Sequence, residues 1–226
     1  MTGVDRPLRL GEILAETIRL YGERIWGALG IGLFLGGVFL LARILHPAFS
    51  VLLVALALTA AYAVAARLAS GDHAREAWAQ LAVRVPVLLV LTVVVSLPVA
   101  LALSDALLLL LAVMWLALTG FSIPVAMLER DPDAKGWLGR LAYALQRSVT
   151  LARTEYLHAV GVAAALVLIY WLVGPFLAAL LVSFGENGPV AAFTLAQVVL
   201  APFFFIGLAV LYFDQRARAL SSRGRP

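Results

Sequence analysis

The stretch WLGRLAYALQRSVTLARTEYLHAVGVAAALVLIYWLVGPFLAALLV, residues 137–182, decides the fold. At roughly 100° per residue, Leu138, Leu141, Ala144, Leu145, Val149 and Ala152 gather on one arc of a helix, and Arg140, Tyr143, Gln146, Arg147, Arg153 and Thr154 on the other. Such a helix suits the headgroup plane of a membrane. From Leu157 to Val182 the polarity vanishes for longer than the roughly 20 residues that cross a bilayer. An interfacial helix running directly into a span is the unit to look for elsewhere in the chain.

Composition agrees. Of 226 residues, 63% are hydrophobic and 13% charged, against about a quarter charged in soluble domains, which reads as an all-α polytopic membrane protein. The net charge of +4 does not point to nucleic acid, because the basic residues fall at the ends of apolar runs, where they act as orientation signals. With no cysteine, disulfides and thiolate metal sites are excluded.

Residues 1–24 hold the first interfacial helix, from 8 to 24, with Leu10, Ile13, Leu14, Thr17, Ile18 and Tyr21 facing one way and Arg9, Glu12, Glu16, Arg19 and Glu23 the other. This leader is long and carries acids, unlike a secretory signal, and is expected to be retained. The transmembrane domain, 25–213, divides into spans at 25–45, 48–69, 85–103, 105–128, 157–182 and 189–213. Gly32 and Gly36 give the first span a GxxxG face for close helix packing. His46 and Pro47 break the first hairpin, and Arg67 ends the second span, where its charge can reach the headgroups. Ser70, Gly71 and Asp72 form a turn that caps the second interfacial helix, with His73, Glu76, Gln80 and Arg84 opposite Trp78 and Leu81. The apolar run from Val85 to Leu128 is twice a span long and breaks at Ser104 and Asp105.

Eleven Leu, Val, Ile or Phe residues between Leu107 and Val125 favour insertion of the fourth span by roughly 3 to 7 kcal/mol. Pro86, Pro98, Pro124, Pro175 and Pro202 are expected to kink spans whose neighbours satisfy the freed carbonyls. Pro189 suits the first turn of the sixth span, and 214–226 reads as a basic cytoplasmic tail ending in a disordered run from Ser221.

Leu10, Leu14, Ile18, Leu20 and Gly30 align without a gap on Leu141, Leu145, Val149, Leu151 and Gly161, which indicates three hairpins, each preceded by an interfacial helix, with a shorter middle copy. Sixteen of the seventeen basic residues lie in the leader, in the segments after spans two and four, or in the tail; Arg43 is the exception. The positive-inside rule makes those four regions cytoplasmic, so both termini are expected on the cytoplasmic side of a bacterial inner membrane.

In residues 10–14, LGEIL, with Arg19, Leu20 and Tyr21, in Gln146, Arg147, Ser148 and Leu151, and in residues 212–218, YFDQRAR, the chain resembles the membrane domain of the bacterial glycerophosphoryl diester phosphodiesterases. The resemblance covers nearly the whole chain and implies a six-span module. The family's catalytic barrel has no counterpart here, so its hydrolase activity is not implied.

No catalytic, cofactor or metal site is read from the residues. Glu129, Asp131 and Asp133 fit a polar turn stopped by Pro132 better than a divalent-ion loop. Asp72, Ala74 and Arg75 lack the glycine and the downstream aspartates of the CDP-alcohol phosphatidyltransferases. Gly120, Phe121 and Ser122 lack the second glycine of a nucleophile elbow, and Ser122 reads as a packing residue. His46, His73 and His158 are scattered over both sides of the membrane. Thr92, Ser96, Thr194 and Gln197 lie deep in spans, where helix-to-helix hydrogen bonding is the ordinary use.

The residues expected to meet lipid headgroups or a partner are Arg19, Arg140, Arg147, Arg153, Asp214, Arg216 and Arg218, with an i,i+4 pair of Asp214 with Arg218 as the simpler use of that acid. The expected function is a non-enzymatic membrane scaffold that organises lipids or a membrane or cytoplasmic protein, with a second copy of the chain as a further candidate partner. The alternative is a transporter or channel for a small or lipid-like solute. Arg43, Arg67 and Asp105 all lie near span ends, which argues against ion coupling at mid-depth.

Overall fold

The computed structural model describes residues 6–102, 106–129, 136–181 and 188–223. Among them there is no strand, and the helices form three consecutive groups. The first holds α1 (Leu10–Glu23), α2 (Ile25–Ala42) and α3 (Pro47–Ala69). The second holds α4 (Ala74–Val83), α5 (Val85–Leu91), a π turn (Thr92–Ser96), α6 (Leu97–Ala102), α7 (Ala106–Thr119) and α8 (Ser122–Leu128). The third holds α9 (Gly136–Thr154), α10 (Tyr156–Leu181) and α11 (Gly188–Arg223). Four elements are long and apolar enough to cross a membrane, namely α2, α3, Leu110–Leu128 and Val190–Ser222. The number rises to six when α4 with Val85–Val99 and α9 with Tyr156–Tyr170, bent by 86° and 98°, each contribute one.

Each group opens with a short helix that stops at one residue whose carbonyl starts the next. Ala28 N–H donates to Arg24 O (2.9 Å), Leu88 N–H to Arg84 O (3.0 Å) and Ala159 N–H to Glu155 O (3.1 Å). Arg24 (φ −117°, ψ 27°) and Arg84 (φ −116°, ψ 12°) share one off-helix conformation, so the ladder breaks there and the chain can turn sharply. Arg24 and Glu155 differ by 131 in number, as do Leu10 and Leu141 in the gapless alignment. That register also matches burial: Ile13 with Ala144, Thr17 with Ser148, and Leu20 with Leu151 are all buried. The repeat is therefore present in the tertiary structure of the first and third groups.

The GxxxG face does what its spacing suggests. Gly32 lies against the backbone carbonyl of Val198 in α11, where an added Cβ would overlap that oxygen, and Gly36 meets Val198 and Thr194. Pro202, four residues beyond Val198, has no N–H to offer the same carbonyl. At Pro98 the freed acceptor is Val94 O, which takes a hydrogen bond from the Trp115 indole (2.9 Å) beside the π turn. At Pro124 the acceptor four residues back is Gly120 O, which Ile123 N–H reaches at 3.3 Å. Deep in the bundle Thr59, Thr92 and Ser96 join α3 to the π turn, with Thr59 Oγ1 2.7 Å from Ser96 Oγ and accepting from Thr92 at 3.0 Å. Thr194 instead bonds back to Val190 O in its own helix.

Several boundaries differ from the sequence reading. The first span ends at Ala42, because Arg43 and Ile44 form the turn before the His46 cap. The fourth is broken at Gly120 and Phe121, where a Cβ on Gly120 would strike Leu116 O. The cap of α4 is His73, not the 70–72 turn, because the Asp72 carboxylate is drawn to Arg67. The last helix does not stop at residue 213. It continues to Arg223, with Asp214, Gln215, Ala217 and Ala219 packed inside, so the segment read as a tail is folded at least that far. Ser104, Asp105, Asp131, Asp133 and the connection 182–187 lie outside the described residues.

Candidate functional site

Polar side chains collect at the end of the bundle where α1, α4 and α9 lie, and they tie the three groups together. Arg24, the corner between α1 and α2, donates to Gly71 O (3.2 Å) and Asp72 O (3.4 Å). Gly71 has φ 108°, a conformation that glycine alone adopts readily, and it turns the chain back toward Arg67. Arg67 Nε and Asp72 Oδ2 form an ion pair 2.5 Å apart whose angle is not that of a hydrogen bond, and Arg67 Nη1 reaches Met127 O at 3.4 Å. Two residues on, Glu129 ends α8 in an extended conformation with its side chain only 10% exposed. Its Oε2 accepts from Tyr143 (2.8 Å) and Arg147 (3.3 Å), and its Oε1 accepts from Tyr212 (2.8 Å). One carboxylate thus joins α8, α9 and α11.

The second hub is Asp214, fully buried on α11. Its Oδ1 accepts from Leu8 N–H (2.6 Å) and its Oδ2 from Arg218 Nε (2.8 Å), while Arg218 also donates to Leu8 O and pairs with Glu155. Asp214 and Arg218 together hold both backbone groups of Leu8, which fastens the entry to α1 onto the end of α11. His158 Nε2 stands 3.2 Å from Asp214 Oδ2 and 3.3 Å from Arg218 Nη2. Protonated, that nitrogen donates to the acid; unprotonated, it accepts from the arginine. Beside this hub Gln215 is fully buried with neither side-chain polar atom partnered among the described residues.

The seven residues read from the sequence as headgroup or partner contacts therefore separate into two sets. Arg19, Arg140, Arg153 and Arg216 are exposed, Arg19 in ion pairs with Glu16 and Glu23 that hold its guanidinium firmly charged. Arg147, Asp214 and Arg218 are turned inward and used by the seam. Tyr143 and Arg147, assigned to the outer arc of α9, face Glu129; the buried face of that helix runs through Ala144, Ser148, Leu151 and Ala152. On α1 the buried line is Ile13, Thr17 and Leu20, while Leu10 and Ile18 stay exposed.

Sequence reasoning missed Glu129 and His158 as members of the seam. A carboxylate directly before a proline-broken turn looks solvated until Tyr143 and Tyr212, 14 and 83 residues away, are brought to it. The histidines serve separate roles: His46 Nδ1 accepts from Ala48 N–H (3.4 Å), His73 caps α4 through its backbone, and His158 joins Asp214. Among the described residues no three His, Asp or Glu side chains are grouped to hold a metal ion. Ser122 is buried and bonded to Thr119 O (2.6 Å), which is a packing role.

Both hubs have all their carboxylate oxygens engaged by donors of the fold, an arrangement suited to fixing helices. In comparisons with protein-family models, with curated proteins and with solved structures, none matches this chain.

Proposed function

We propose that this chain is a six-span protein of the cytoplasmic membrane, with both termini cytoplasmic, and that it serves as a non-enzymatic module gathering lipid headgroups or a partner protein on its cytoplasmic face. The observation that carries the reading is the sharp corner after α4 and after α9, 86° at Arg84 and 98° at Glu155, with α1, α4 and α9 tied to the polar end of the bundle through Arg24, Leu8 and Glu129. A helix laid across the end of a span belongs in the interface. In keeping with that, exposed apolar residues accompany exposed arginines there: Leu10 and Ile18 with Arg19, and Trp137 and Leu138 with Arg140. The resemblance to the membrane domain of the glycerophosphoryl diester phosphodiesterases supports the same architecture and is carried no further than that.

The chain has no cysteine, so Ser104→Cys and Gly185→Cys give clean single labelling sites. A membrane-impermeant thiol reagent is expected to label both from outside intact cells; labelling of either from the cytoplasm alone overturns the topology. For the module itself, a photo-crosslinker at Arg153 should return one reproducible lipid class or protein, and its failure to do so counts against a gathering role.

A second reading, passage of a lipid-like solute, is favoured by an apolar cavity inside the bundle lined by α2, α3, α6, α7, α10 and α11. Solute flux into liposomes that is independent of the proton gradient would support it. Flux that collapses with the gradient and with Arg67→Ala would instead point to ion coupling.

A further inference from the structure

Arg43 is the one basic residue that the cytoplasmic clusters do not absorb, and it stands at the end of α2 remote from the polar seam. Among the described residues its guanidinium makes no hydrogen bond or ion pair. It lines a cleft between α2 and α11, together with Phe39, Val190 and Thr194. Phe39 is also a wall of the deeper apolar cavity, which Leu58, Val113, Tyr170, Ala201 and Phe205 help to line. On α11 the cleft is lined by Val190 and Thr194 and the cavity by Ala201, Phe204 and Phe205. At 1.5 Å per residue the distance from Val190 to Phe205 is about 22 Å, which passes the middle of the roughly 30 Å hydrocarbon core. A free cation at the headgroup level, an aromatic side chain below it and an apolar space reaching the mid-plane match the three levels of one phospholipid.

We infer that the Arg43 cleft and the central cavity form a binding site for a single anionic phospholipid of the outer half of the membrane, its phosphate on Arg43 and one acyl chain passing Phe39 into the cavity. The guanidinium supplies a charge-assisted, bidentate contact to phosphate, and the chain fills space that otherwise lacks packing partners. The cavity is open to chains of either charge class, so Arg43 sets the preference for anionic lipid and the cavity sets the occupancy. The inference rests on the proposed reading that α2 and α11 cross the bilayer, and the cysteine labelling above tests that separately.

The test is native mass spectrometry of the delipidated full chain in detergent, offered equimolar phosphatidylglycerol and phosphatidylcholine of one chain length. A single adduct should form, with phosphatidylglycerol preferred at least fivefold. Arg43→Gln should bring the two lipids to parity, Arg43→Lys should restore most of the preference, and Arg75→Gln at the opposite end should leave it intact. Ala201→Phe and Ala112→Phe, which fill the cavity, should lower the adduct of both lipids severalfold while circular dichroism stays unchanged. Equal loss with Arg75→Gln means diffuse attraction to cations and overturns the site. An undiminished preference in Arg43→Gln overturns the headgroup assignment, and adducts that survive both cavity-filling variants in folded protein overturn the buried chain.

Discussion

The backbone carbonyl of Val198 in α11 occupies the position that a Cβ on Gly32 in α2 would need. Pro202 withholds the N–H that would normally cover this oxygen, so a glycine on one helix and a proline on the other meet at one point. Gly32→Ala should therefore lower stability in detergent by about 1 to 3 kcal/mol, the usual cost of overpacking. Gly37→Ala, with open space around it, should leave the thermal midpoint unchanged. Equal midpoints for the two variants would show that α2 and α11 do not pack at this contact.

The Trp115 indole covers the carbonyl of Val94, which Pro98 leaves without its helical donor. Trp115→Phe removes the donor and should cost about 0.6 to 1.7 kcal/mol, the range of polar contacts between membrane helices. On a Pro98→Ala background, where residue 98 carries an N–H, the same substitution should cost less. The coupling in a double-mutant cycle measured by thermal unfolding is the deciding quantity, and additive effects would detach the indole from the proline.

Glu129 accepts from two tyrosines and one arginine on two different helices. Glu129→Ala strands the hydroxyl of the fully buried Tyr212 and should cost about 1 to 3 kcal/mol. Glu129→Gln keeps one acceptor oxygen and should lose distinctly less. Intrinsic tyrosine fluorescence and thermal unfolding would register both, and equal losses would mean that the charge rather than the acceptor count matters.

Asp214 and Arg218 hold the backbone of Leu8 across more than 200 positions of sequence. Asp214→Ala should loosen the entry to α1 and raise hydrogen exchange over residues 8–13 about tenfold, the factor set by roughly 1.4 kcal/mol. Exchange in α3 should not move. An unchanged rate at Leu8 would remove the latch.

Glu12 gives a pH prediction. Its carboxylate bonds the Arg9 N–H (2.7 Å) and then Arg6, which together hold its pKa below the ordinary 4.5. A folded pKa below the unfolded one makes the cap fully effective above about 4.5 and weakens it as pH falls through the lowered value. Protection factors at the N-terminus of α1, taken relative to the intrinsic exchange rate at each pH, should fall on acidification in the wild type, and Glu12→Gln should flatten that dependence. The exposed position keeps the effect local.

The sequence by itself determined whatever depends on runs and periods. Apolar lengths marked the helices from Ile25 to Ala42 and from Pro47 to Ala69 within a few residues, the Gly32 and Gly36 spacing marked a contact face, and the match of Leu10 with Leu141 marked a repeat whose corners at Arg24 and Glu155 share its register. These are local properties, because a span must satisfy its own backbone within one segment of fixed length. Only the tertiary structure decided which polar residues are inside. Arg147 and Arg153 lie on the same helix and carry the same charge, yet one meets Glu129 and the other stays exposed. Asp214 looks like the start of a tail until Leu8, His158 and Arg218 converge on it. Pairing across 83 or 206 residues leaves no trace in a hydropathy pattern, since the free energy of a buried carboxylate depends on which donors other helices bring within 3 Å or so of it.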